Sequence, residues 1–67
     1  MTPLQRAKNI CSNQIMWFRG MAEGAEKEAK GFLVSEEKGY LRQQAAEYNS
    51  MADRFQVVLD ELNKIHE

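Results

Sequence analysis

The side chains that most often carry out chemistry in proteins are few in this chain and lie far apart. The chain has one cysteine, Cys11, and one histidine, His66, so neither has a second residue of its own type with which to form a metal site. In an antiparallel helical arrangement His66 lies beside the first residues, about two to three helical turns from Cys11, too far to activate that thiol. The sequence therefore predicts no catalytic residue, no metal site and no cofactor, and Cys11 is expected to be a small buried residue.

The acidic side chains are explained better as solvent-exposed partners of lysines than as catalytic acids. Glu23 precedes Lys27 by four residues, and Glu26 precedes Lys30 by four, which is the order that stabilises a helix. The net charge of −1 favours neither a strongly basic nucleic-acid binder nor an acidic mimic of DNA. We therefore expect a protein that is not an enzyme.

The charges are distributed unevenly along the chain. Residues 1 to 22 contain Arg6, Lys8 and Arg19 without a single acid, whereas residues 23 to 67 contain all ten acids and six bases. An antiparallel hairpin places the first segment beside residues 45 to 67, so the simplest interpretation is internal charge complementarity. A basic binding patch on the first segment is the alternative.

Apolar residues recur with helical spacing in two long segments. In the second segment one line of residues repeats every seven positions, and a second line follows three residues after it, which together form a stripe on one side of a helix. The lines are Leu41, Tyr48, Phe55 and Leu62, then Gln44, Met51, Val58 and Ile65, widened by Ala45, Ala52 and Leu59. The first segment repeats the pattern with Leu4, Ala7, Cys11, Gln14, Phe18, Met21, Ala25 and Phe32.

Residues that start and stop helices give the boundaries. Thr2 is a candidate N-cap before Pro3, and Gly31 is a candidate left-handed stop, so we expect a helix over residues 3–30. Ser35 followed by two glutamates starts a second helix, residues 36–65, after a turn at residues 31–35. So short a turn makes the helices antiparallel, and residues whose numbers sum to about 66, such as Phe18 and Tyr48, should lie opposite each other.

The predicted fold is an all-α, antiparallel two-helix hairpin that forms one domain over residues 1–67. Ordering a chain costs on the order of 1.5 kcal/mol per residue, and the burial between only two helices about balances that cost. Self-association is therefore expected, most simply as a homodimer that forms a four-helix bundle of coiled-coil type. The interface residues predicted for it are Ile10, Gln14, Trp17 and Met21.

The first helix has more apolar surface than one partner helix can cover. Trp17 and Ile10 flank the predicted stripe, and they either fill a dimer core or form a docking surface for another macromolecule. For the second interpretation Trp17 is the anchor, with polar and cationic neighbours around it. The residues predicted to bind a partner are Arg6, Asn13, Met16, Trp17 and Arg19.

No apolar run approaches the roughly 20 residues that span a bilayer, and the first residues lack the apolar segment of a signal peptide. A cytoplasmic protein without membrane contact is expected. The function expected is that of a small interaction protein, of the kind phages and mobile elements encode, which binds and modulates or inhibits a macromolecule. A protein partner is favoured over a nucleic acid.

The alternative is a binder of RNA or nucleotides that uses the acid-free half of the first helix. In length and topology the chain is similar to the Rop family of plasmid proteins, dimeric helical hairpins that bind paired RNA loops. The resemblance implies a dimeric RNA-binding hairpin. It rests on architecture, and no binding residue is carried over from it.

Overall fold

The structure is a computed structural model that describes residues 1–31 and 35–65. Helix α1 spans Pro3–Gly31 and helix α2 spans Ser35–Asn63. The two helices pack against each other in antiparallel directions, and every regular element in the described ranges is helical. The chain is therefore an all-α helical hairpin, as the sequence predicts.

The start of α1 is fixed by a reciprocal pair of hydrogen bonds. The backbone N–H of Gln5 donates to Thr2 Oγ1 at 3.2 Å, and the N–H of Thr2 donates to Gln5 Oε1 at 3.1 Å. Such a capping box satisfies two N–H groups that have no partner inside the helix. The predicted N-cap at Thr2 is confirmed.

The other helix ends differ from the prediction by one or two residues. Gly31 remains in α1 and does not have a positive φ, so its predicted role as a left-handed stop is wrong. Glycine also adopts helical angles, and here it is the last residue of α1. Helix α2 begins at Ser35 rather than residue 36. The rest of the predicted turn, residues 32–34, and the side chain of Ser35 lie outside the described residues.

Helix α2 ends at Asn63 instead of Ile65 because its last turn tightens. The N–H groups of Lys64 and Ile65 donate to carbonyls three residues earlier, those of Glu61 and Leu62, both at 3.1 Å. Bonds of this span belong to the 3₁₀ geometry that often closes a helix.

The line of contact between the helices, which we call the seam, lies one residue away from part of the predicted stripe. Gln14, Met21, Met51 and Val58 were predicted to belong to it and are exposed. In each case the following residue packs inside instead, namely Ile15, Ala22, Ala52 and Leu59, and of these Ala52 and Leu59 had been predicted to widen the stripe. The seam consists of Leu4, Lys8, Cys11, Ile15, Phe18, Ala22, Ala25 and Ala29 on α1, and Leu41, Ala45, Tyr48, Ala52, Phe55, Leu59 and Leu62 on α2.

The physical reason for this shift is the size of the buried side chains. The buried residues among those described are Cys11 and five alanines: Ala22, Ala25, Ala29, Ala45 and Ala52. Small side chains let two helices approach more closely than bulky ones do. The alanine lines therefore face each other, and the larger apolar side chains are left beside the contact.

Aromatic rings fill the wider middle of the seam. The ring of Phe18 lies 6.2 Å from that of Tyr48 and stacks on Phe55 with centroids 5.7 Å apart. Phe18 contacts Tyr48 as predicted, but residues at the same level have numbers that sum to about 69 rather than 66, so the predicted register is wrong by about three residues. Because Phe18 lies between the two rings, its level on α1 corresponds to residues near Met51 on α2.

The hairpin forms a single thin layer. Its Cα atoms extend over 53 × 17 × 11 Å with a radius of gyration of 15.4 Å, whereas a compact domain of this length has a radius near 11 Å. Its accessible surface is 5188 Å², whereas a folded monomer of 7.8 kDa exposes about 4400 Å². The layer thus leaves about 800 Å² more surface in water than a compact monomer of the same mass.

No helix in the described ranges is long and apolar enough to cross a membrane.

Two neighbouring alanines test the close approach of the helices. Ala45 is buried in the seam and Ala46 is exposed. Ala45→Leu forces the helices apart and should lower the free energy of unfolding by about 1–3 kcal/mol. Ala46→Leu makes the same change in helix propensity as Ala45→Leu. It should change the free energy of unfolding by less than about 0.5 kcal/mol. Urea denaturation followed by circular dichroism measures both, and equal effects would contradict the assigned seam.

Candidate interaction surface

One side of the hairpin presents several exposed large apolar side chains with polar residues and a glycine between them, and we call it the apolar face. On α1 it follows two lines with a spacing of seven residues, and on α2 it follows one such line, so each line stays on one side of its helix. Its members are Ile10, Gln14, Trp17, Met21, Gly24 and Glu28 on α1, Gln44, Met51 and Val58 on α2, and Ile65 just after α2.

Two grooves show that both helices contribute to the apolar face. One groove is lined by Met21, Gly24 and Glu28 of α1 together with Gln44 and Tyr48 of α2, and it also reaches Gly20 and Ala25. The second lies further along α2. Its walls are Met51, Arg54, Phe55 and Val58. Because Gln44, Met51 and Val58 are seven residues apart, the two grooves open on the same side of the hairpin.

Trp17 lies at the centre of this face, against the aromatic rings of the seam. Its ring meets that of Phe18 edge to face, with centroids 5.0 Å apart, and meets Tyr48 at 6.2 Å and 88°. These contacts hold the indole in place and leave it 54% exposed. A large, fixed and half-exposed aromatic residue has the properties of an anchor in a protein interface.

The opposite side is polar, and we call it the polar face. The guanidinium of Arg19 donates from Nη1 to Asn49 Oδ1 at 2.9 Å and from Nη2 to Asp53 Oδ1 at 2.7 Å. Glu26, seven residues after Arg19, and Arg42, seven before Asn49, line a groove on the same side. The polar face therefore links the helices by charge and hydrogen bonding, as the uneven charge distribution predicts.

The structure separates the five residues that were predicted to bind a partner. Trp17 lies on the apolar face. Arg19 follows it by two residues, about 200° around the helix, and its charge is paired with Asp53 rather than free for a partner. Arg6, Asn13 and Met16 are exposed on the part of α1 that faces away from α2. The five do not form one patch in the hairpin.

The four residues predicted for an oligomer interface, Ile10, Gln14, Trp17 and Met21, do lie together on the apolar face. The structure adds two exposed residues from α2, Met51 and Val58. Sequence reasoning assigned both to the contact between the helices. The seven-residue spacing of Gln44, Met51 and Val58 places them on one side of α2. It does not show whether α1 packs against that side or leaves it exposed.

The other side chains that could take part in chemistry lie at the following places. The free thiol of Cys11 is buried in the seam, as predicted. Glu28, Glu36 and Glu37 line a groove with Tyr40 and Leu41 at the turn end of the apolar face. His66 lies outside the described residues. What the described surface offers is an apolar area for binding, with carboxylates at one end.

The Arg19–Asp53 pair gives a test of the polar face. Its side chains are 46% and 69% exposed, and exposed pairs contribute about 0.2–1 kcal/mol. Asp53→Asn should therefore lower the free energy of unfolding by no more than about 1 kcal/mol at low salt, and the loss should shrink in 1 M salt, where the Debye length is about 3 Å. A loss that does not depend on salt would contradict an exposed ion pair.

Asp60 provides the matched control. It accepts a hydrogen bond from Gln56 within α2 and lies near the carboxyl end of that helix, where the helix dipole disfavours a negative charge. Asp60→Asn should leave the stability unchanged or raise it slightly. Urea denaturation at both salt concentrations compares the two variants.

Comparison with known proteins gives no match. No family model matches the chain. The searches of curated proteins and of solved structures likewise return no match. The function is therefore argued from the two faces of the hairpin.

Proposed function

We propose that this is a small, non-enzymatic interaction protein that binds a macromolecular partner through its apolar face. The observation that carries the proposal is the position of Trp17, Met21, Met51 and Val58, four large apolar residues that share one side of the hairpin and are 40–54% exposed. Monomeric proteins rarely expose apolar patches larger than a few hundred Å² without using them.

The chemistry of the face favours a protein partner. Trp and Met, which are enriched in the cores of protein interfaces, lie at its centre. Arg19, one of the three cations in the acid-free first segment, is held by Asp53 on the polar face. That leaves Arg6 and Lys8 as the cations of this segment that a nucleic acid could use, and neither belongs to the apolar face.

The mode of action that follows is occupation of a partner's surface. Both helices of the hairpin present rows of side chains on the apolar face. These rows can pack into the grooves of one or two helices of another protein, as in ridges-into-grooves helix packing. Binding of this kind modulates or inhibits a partner by covering the surface it uses. The buried free thiol of Cys11 suits a reducing compartment, and we place the protein in the cytoplasm.

Adjacent valines on α2 test the proposal. Val58 lies on the apolar face with 48% exposure, and Val57 lies off it with 62%. Val58→Asn and Val57→Asn change helix propensity equally, so a difference between them reports on the face. A tagged protein is used to capture partners, including untagged copies of itself, from a lysate of the cells that produce it, with and without nuclease.

The expected result is that proteins are retained after nuclease treatment by the parent and by Val57→Asn, and that Val58→Asn weakens retention at least tenfold. Circular dichroism confirms that each variant is helical. Equal retention by the two variants would remove the apolar face from the binding surface. Loss of all partners upon nuclease treatment would favour nucleic-acid binding instead.

A further inference from the structure

We infer that the occupant of the apolar face is a second copy of this chain, packed with its turn at the opposite end. In this dimer the indole of each Trp17 lies over Gly20 and Gly24 of the other copy. The inference rests on the proposed function of the apolar face as a binding surface, and it names the partner and its orientation.

The area of the face fits such a dimer. The hairpin exposes 5188 Å², about 800 Å² more than a compact monomer of its mass. A standard specific interface buries about 800 Å² on each partner. Pairing two thin layers face to face removes this excess from water and produces a four-helix bundle with two layers.

Helix α1 is complementary in shape to itself. Its first half presents Ile10, Gln14 and Trp17 on the apolar face, and its second half presents Met21, Gly24 and Glu28, with Gly20 in the same groove. A methyl group added at either glycine meets nothing within 4 Å in the hairpin. Glycine is a poor helix former, and contacts within the hairpin therefore do not account for two of them in mid-helix.

A two-fold axis brings the bulky half and the thin half together. If two α1 helices cross the interface antiparallel, with the axis near residue 19, then Trp17 of one copy faces Met21 of the other, which lies between Gly20 and Gly24, and Gln14 faces Gly24. The groove lined by Met21, Gly24 and Tyr48 then receives these side chains. Such an isologous interface uses the same surface on both copies.

The same axis is consistent with α2. Phe18 lies between the rings of Tyr48 and Phe55, so the level of residue 19 on α1 corresponds to about Met51 on α2. The axis thus places Met51 beside Met51 of the other copy, at the middle of the bundle. The axis lies two residues from the midpoint of each helix, Pro3–Gly31 and Ser35–Asn63, so the two layers overlap along most of their length.

Charges on the apolar face favour this orientation over one with both turns at the same end. Arg54, in the wall of the α2 groove, and Glu47 lie three and four residues from Met51 in opposite directions, so each Arg54 lies near Glu47 of the other copy. Glu28, Glu36 and Glu37 line the turn end of the face. Turns at the same end would gather six carboxylates there, whereas turns at opposite ends keep the two sets apart.

Two glycines provide the first test, by sedimentation of the full chain over a range of concentrations. Gly24 is in the proposed contact and Gly39 is not, although added side chains would meet open space at both in the hairpin. The parent and Gly39→Leu should be dimers at micromolar concentration. Gly24→Leu should remain helical by circular dichroism and dissociate with a Kd at least tenfold higher.

The orientation is measured by pulsed dipolar spectroscopy between spin labels at Asn63→Cys in a Cys11→Ala background. Asn63 is 12 residues from Met51, so with turns at opposite ends the two labels lie at least about 35 Å apart, at 1.5 Å per residue. With turns at the same end they are separated by the width of two helices, below about 25 Å.

The proposal is supported by a dimer that Gly24→Leu weakens and Gly39→Leu does not, together with the longer label distance. It is overturned by the shorter distance or by equal effects of the two glycine variants. A parent that stays monomeric at micromolar concentration also overturns it. If the monomeric parent captures another protein and the Val58→Asn variant does not, the proposed function stands and only the identity of the partner is wrong. If it captures nothing, both fail.

Discussion

The close packing of two helices along a line of alanines is the constraint from which the rest of the hairpin follows. Ala22 and Ala25 on α1 pack against Ala45 on α2. Ala29 and Ala52 are also buried in the seam, and none of the five is more than 8% exposed. Helices that approach so closely leave no room for Trp17, Met21, Met51 or Val58 between them. These side chains lie to one side, and the surface they form is a consequence of how the seam is closed.

The elements of the fold were predictable because each depends on local chemistry. Thr2 and Gln5 form a capping box within four residues, and the spacing of seven gives both helices and their antiparallel pairing. The side of contact was not predictable in the same way. Met21 and Ala22, or Met51 and Ala52, belong to neighbouring lines with the same period, and the choice depends on the sizes of side chains on both helices together.

The interaction surface was predicted in part for the same reason. Trp17 and Ile10 were identified because they exceed what one partner helix can cover. The contribution of α2 was missed, since Met51 and Val58 had been placed inside the hairpin. Arg19 was assigned to the binding surface because its partner, Asp53, lies 34 residues away and is found only when the register of the helices is known. The binding surface was thus predicted on α1 alone, whereas in the structure both helices contribute to it.

The central claim is that the apolar face is covered when the protein assembles, and the chain's single tryptophan reports on it directly. Trp17 is half exposed in the isolated hairpin and buried in the proposed dimer. Its fluorescence should be blue-shifted and poorly quenched by acrylamide at high protein concentration, then shift to longer wavelength and quench readily on dilution, while circular dichroism shows that the helices persist. A water-exposed emission that is the same at every concentration would contradict the account.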